Sequence, residues 1–206
     1  MCGSRIWSDA IYSVERVTLT MKRIATALLF AAVCLAQTPK EKYMTPGTGG
    51  SPPMQTSVTI GGKEIWIVYH APSVKGRKVF GSADALQKPG TIWRMGADQA
   101  TFLHTDADLD INRLMVPKGE YTLFADLDVG KWQLIVDKQV GQWGIKRTGE
   151  GNVDPAQVLG KVAMTMSKPS SLVEQVKITL SSSGRNKGTL KVEWEKVAAS
   201  VNFTVK

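Results

Sequence analysis

Cysteine and histidine are scarce in this chain, with two of each among 206 residues. Both cysteines, Cys2 and Cys34, stand ahead of residue 37. A domain that begins after that point has no thiol, which excludes a cystine framework and thiol catalysis. The two histidines, His70 and His104, are far apart, and no His-x-His or His-x-x-x-His spacing supplies a ready metal clamp. No serine sits in a G-x-S-x-G elbow, Ser73 included, although His70 lies three residues before it. Gly76 and Gly81 flank Arg77-Lys78-Val79-Phe80 without the spacing, or the Lys-Ser/Thr pair, of a phosphate loop. After Ala36 no apolar run is long enough to span a bilayer, no 3.6-residue apolar stripe persists long enough for a helix, and no internal repeat is present.

The longest apolar run is Ile24 to Ala36, preceded by Met21-Lys22-Arg23 and followed by Gln37-Thr38-Pro39-Lys40. A cationic start, about a dozen apolar residues and small residues at the end are the parts of a secretory signal peptide. Cleavage after Ala36 suits the small side chains there, and Val33 beside Cys34 fits poorly with a lipidated cysteine. The sequence therefore predicts a signal peptide over 21–36 and a periplasmic or extracellular destination. Residues 1–20 read as an upstream extension from a start codon assigned too early. Residues 37–54, rich in Pro, Gly, Ser, Thr and Lys, read as a flexible tether that cannot bury enough surface to order itself.

The full chain carries a formal charge of +8, and losing Arg5, Arg16, Lys22 and Arg23 together with Asp9 and Glu15 leaves +6. The basic residues are scattered, which favours small anionic ligands mildly and gives no motif for nucleic acid.

The remainder, 55–206, reads as one all-β domain, a β-sandwich or jelly-roll with an open barrel as the alternative. Ser57–Ile60 and Lys63–His70 are strands joined by Gly61-Gly62, a two-residue turn that needs positive φ at both positions. The second strand is apolar on both alternating faces, so it should be covered on both sides. Thr101–His104 and Leu109–Val116 read as further strands. Glu120–Ala125 and Lys131–Asp137 alternate cleanly and form a hairpin across Asp126–Gly130. Lys138–Gln157, with Gly141, Gly144, Gly149, Gly151 and Pro155, reads as a long surface loop. Val158–Ser167, Leu172–Ser181, Thr189–Lys196 and Ala199–Val205 complete eight to ten expected strands.

The candidate working surface is Tyr69 to Thr101, where glycines, arginines, a tryptophan and small polar residues crowd together between strands. Arg77 and Arg94 can each clamp a carboxylate or phosphate with a planar fork of donors. With Tyr69, Ser73, Trp93 and Asp98 they suit a small anionic or sugar-like ligand, and Trp143 between Gly141 and Gly144 offers a stacking surface. The same arginines read equally as internal staples donating to backbone carbonyls, and Trp143 as a lid folded over the core. Trp66, Trp132 and Trp194 read as core. A catalytic alternative is metal-assisted hydrolysis by His70, His104 and Asp98. The carboxylates of Asp84, Asp98, Asp106, Asp108 and Asp110 read as solvated loop acids rather than a glycosidase pair.

Four ordered segments, Pro72–Gly81, Trp93–Thr101, Pro117–Ala125 and Trp132–Gly144, together with the closing TLKVEWEKVAASVNF, resemble the bacterial family called domain of unknown function 2911. The resemblance covers about Ser51 to Phe203 and implies an exported protein with one β-rich domain. It carries over no catalytic residue. Where the family typically has Gly-Ala-Asn-Glu, this chain has Gly96-Ala97-Asp98-Gln99, which argues against a catalytic carboxylate at position 99. The expectation is therefore an exported, non-enzymatic module for a small anionic or carbohydrate ligand, without cofactor or metal. The alternatives are the hydrolase and a purely structural envelope protein.

Overall fold

The computed structural model describes residues 49–206. The segments expected to be an upstream extension, a signal peptide and most of a tether lie outside the described residues. The tether's last residues already belong to the first strand, which begins at Pro53 rather than near Ser57.

Thirteen strands and no helix make up the described residues. They are β1 (Pro53–Ile60), β2 (Lys63–His70), β3 (Ile92–Trp93), β4 (Ala97–Thr105), β5 (Leu109–Ile111), β6 (Leu114–Val116), β7 (Gly119–Asp126), β8 (Gln133–Asp137), β9 (Val158–Ala163), β10 (Thr165–Ser167), β11 (Val173–Ser182), β12 (Lys187–Glu195) and β13 (Val197–Val205). One antiparallel sheet runs β1-β2-β4-β7-β8-β9, with β3 on β7. The other runs β11-β12-β13-β5-β6, with β10 on β13. The two face each other as a β-sandwich, in agreement with the period-two patterning.

Alternation decides what is buried between the sheets. Ile65, Ile67 and Tyr69 of β2, Leu123 and Ala125 of β7, and Leu134 and Val136 of β8 meet Ile178 and Leu180 of β11, Val192 and Trp194 of β12, and Val201 and Phe203 of β13 in one core. An aromatic group of Phe80, Trp93, Trp132 and Trp194 fills one part of it through edge-on and stacked contacts. The opposite face of β2 is buried as well, where Trp66 and Val68 pack with Phe102, as its two-sided apolar pattern requires. Beside them Ala100, Phe124 and Ile135 are covered with help from Ile92, Val153 and Val158.

Two long expected strands are each broken in two. Within Leu109–Val116, Asn112 (φ 49°) and Arg113 (φ 75°) take left-handed conformations and turn the chain into the tight β5–β6 hairpin. Asn tolerates that region well, and its apolar flanks concealed the turn. Within Val158–Ser167 the chain leaves β8 at Ala163 and joins β13 at Thr165, so β9 and β10 belong to different sheets. The hairpin over Gly61-Gly62 forms as expected, with φ of 60° and 76°.

Candidate functional site

At the end of β2 the chain leaves its sheet and borrows the other. Val74 N–H donates to Glu174 O at 2.7 Å, and Val176 N–H donates to Pro72 O at 3.0 Å, so Pro72–Val74 lies along the edge of β11. Lys75 (φ 49°) and Gly76 (φ 70°) then reverse the chain. Arg77 holds this turn from within, its Nε donating to Val74 O at 3.0 Å and its Nη2 to Ser73 O at 2.7 Å. Both acceptors are local carbonyls, and Nη1 of the fork has no acceptor among the described residues.

The return into the first sheet is irregular. Val68 pairs with Phe102 but His70 pairs with Ala97, so β4 carries extra residues opposite one step of β2. Met95 (φ 58°) and Asp98 (φ 54°), neither of them glycine, adopt left-handed conformations around this bulge. Such conformations persist only where surrounding contacts enforce them, and they gather at functional sites. Asp98 is 3 % exposed. Its Oδ1 accepts from Gly49 N–H at 2.8 Å, while Oδ2 has no hydrogen-bond partner among the described residues.

Arg94 ties the bulge to the long loop. Its Nη1 donates to Asp98 O and, at 2.8 Å, to Trp143 O, and its guanidinium lies 5.1 Å from the centre of the Trp143 ring. Burial pulls its pKa below the ordinary arginine value, with the Asp98 carboxylate opposing, and the side chain remains a cation at neutral pH. Nε and Nη2 have no acceptor among the described residues.

These loops enclose a cleft of about 930 Å³, within the size range of small-molecule sites. Of the expected ligand residues, Ser73, Arg77, Trp93 and Arg94 all line it, so the two arginines share one cavity. Lys75 and Lys88 line it too, against one acid, Glu150, which gives an excess of three positive charges. The lining also includes Trp194. Sequence reasoning assigned Trp194 to the core, which is correct for its ring, and did not pick out the two lysines.

Three expected residues lie elsewhere. Tyr69 is buried between the sheets, where its hydroxyl accepts from Ile178 N–H at 3.1 Å, and desolvation raises its pKa. Asp98 is buried in the bulge, accepts from Gly49 N–H and does not line the cleft. Trp143, 45 % exposed, carries Arg94 on its ring and does not line the cavity.

The residues of the hydrolytic alternative do not assemble either. His104 stacks on Trp66, with ring centres 4.9 Å apart, and meets Asp106 at 3.0 Å. His70 is buried on the outer face of β2 and Asp98 in the bulge. Among the described residues no three His, Cys, Asp or Glu side chains come together as a metal set.

No curated protein and no solved structure matches the chain. A family model described as a protein of unknown function does match, over residues 51–203. That span holds both sheets, the bulge and nearly the whole cleft wall, and by it the chain belongs to the family called domain of unknown function 2911.

Proposed function

We propose that this protein is an exported β-sandwich module that binds a small organic anion in the cleft between the β2–β3 loop, the β3–β4 bulge and the 138–157 loop. The observation that carries the reading is the convergence of Arg77 and Arg94 on one cavity together with Lys75 and Lys88. Each guanidinium is held by backbone carbonyls through part of its fork and keeps donors in reserve. Preordered donors of this kind lose little entropy on binding and match an oxyanion in two directions. Export rests on the cationic, apolar and small-residue pattern of residues 21–36.

The test is thermal unfolding of the protein with organic anions and their neutral analogues. A ligand at a hundred times its Kd adds about 2.7 kcal/mol, which raises the midpoint by about 5 to 10 °C for a domain of this size. The double variant Lys75→Glu, Lys88→Glu alters two exposed side chains and should fold normally. It is expected to lose most of the shift, and added salt should weaken binding to the unmodified protein. Equal shifts with neutral and anionic compounds, or no shift with any of them, would overturn the reading.

A further inference from the structure

Two tryptophans line the cleft, Trp93 and Trp194, stacked with ring centres 5.6 Å apart and planes 22° from parallel. The fold treats their nitrogens differently. Trp93 Nε1 donates to Gly96 O at 3.2 Å. Trp194 is 1 % exposed, and its Nε1 has no hydrogen-bond partner among the described residues.

The ring of Trp194 is explained by packing. It is the inward residue at the end of β12 after Leu190 and Val192, and Phe80 meets it edge-on at 5.7 Å. Its nitrogen is not explained that way, because a phenylalanine would fill the same role without bringing a polar atom into the core. An indole N–H can only donate, and a buried donor without an acceptor is costly, so such groups call for an explanation. The cleft, whose lining includes Trp194, is where a ligand can bring such an acceptor.

The chemistry of that acceptor follows from its surroundings. Positive charge stands on Lys75, Arg77, Lys88 and Arg94, whereas Trp194 is packed against Trp93 and Phe80. A full negative charge is disfavoured beside apolar rings, and a neutral hydroxyl or ring oxygen is suited to one N–H. The cleft is also far larger than a bare oxyanion needs.

We infer that Trp194 Nε1 is a ligand anchor and that the ligand class is an anionic group on a hydroxylated body, a sugar acid or sugar phosphate. This rests on the anion-binding reading of the same cleft.

The experiment is a titration of the protein, labelled with ¹⁵N at its tryptophan side chains, with glucuronate, glucose 6-phosphate, hexanoate and inorganic phosphate. Trp194→Phe assigns the Trp194 indole resonance and serves as the binding variant. At least one sugar anion is expected to move that resonance saturably. Trp194→Phe is expected to bind the same compound about five- to tenfold more weakly, the equivalent of one hydrogen bond, while its affinity for hexanoate and phosphate is unchanged. A response to glucuronate alone or to glucose 6-phosphate alone identifies the head group.

Sugar anions that bind with the Trp194 resonance unmoved, or equally well to Trp194→Phe, would overturn the inference and leave the anion cleft standing. So would binding of hexanoate or phosphate without either sugar anion. If no anion binds the unmodified protein, the cleft reading falls and the anchor with it. Should Trp194→Phe fail to fold, the resonance of the unmodified protein still decides, with assignment through the neighbouring backbone.

Discussion

Asp137 shows how much one side chain can report. It is 0 % exposed, at the end of β8, where Oδ1 accepts from Gln139 N–H at 2.7 Å and Oδ2 has no hydrogen-bond partner among the described residues. Desolvation raises its pKa, the Gln139 N–H opposes this, and nearby Asp154 adds to the rise. An acid with a raised pKa binds its proton more tightly folded than unfolded. The charged form therefore destabilises the fold at neutral pH, and the penalty is relieved as pH falls through the folded pKa towards the ordinary value of about 3.9. Asp137→Asn keeps an acceptor for Gln139 and removes the charge. It should raise the unfolding midpoint at pH 7, by an amount that shrinks as the pH is lowered towards about 4. A lower midpoint at pH 7 would show instead that the ionised carboxylate is held by a partner of its own. Little of this was legible beforehand, since Lys131–Asp137 announced a strand while the burial of its last residue depends on the loop after it.

At the level of elements, the sandwich is closed along one edge by polar contacts as well as by apolar packing. Tyr69 on β2 reaches across to Ile178 N–H on β11, and Thr56 Oγ1 on β1 accepts from Leu180 N–H at 3.2 Å. Tyr69→Phe keeps the ring and leaves a buried N–H unanswered, which costs about 1 to 3 kcal/mol. The expected result is a lower unfolding midpoint with unchanged affinity for any anion that binds the cleft, because Tyr69 does not line it. Lost affinity at full stability would place Tyr69 in the site after all. The strands themselves were readable wherever alternation and turn chemistry agreed, as at Gly61-Gly62 and Asp126–Gly130. They were not where a turn used Asn112-Arg113 inside an apolar run, or where one apolar run crossed from β9 to β10 at Met164. The composition of Tyr69–Thr101 singled out the working loop. The bulge within it was hidden, because a left-handed Asp98 is produced by contacts with Gly49 and Arg94 that no local pattern encodes.

The described residues join these levels through the main core between the sheets. Residues of both sheets belong to one apolar cluster, and the wall of Trp93 and Trp194 is part of that cluster as well as of the cleft. Arg77 and Arg94 were visible in the sequence as cations in loops, whereas Lys75 and Lys88 were not singled out. Their shared cavity was not visible, because it forms only when the turn after β2 is laid along β11 and the 138–157 loop is tied down by Arg94. A site built on the core in this way cannot unfold separately from it. Denaturant unfolding followed by tryptophan fluorescence, which reports the buried Trp93, Trp132 and Trp194, should therefore superimpose on unfolding of the sheets followed by far-ultraviolet circular dichroism. A bound anion should move both curves by the same amount, since a ligand that binds only the folded state stabilises everything that unfolds with its site. Two separate transitions, with the anion shifting the fluorescence curve alone, would mean that the cleft wall opens independently of the sandwich and that its tryptophans are not held by the common core.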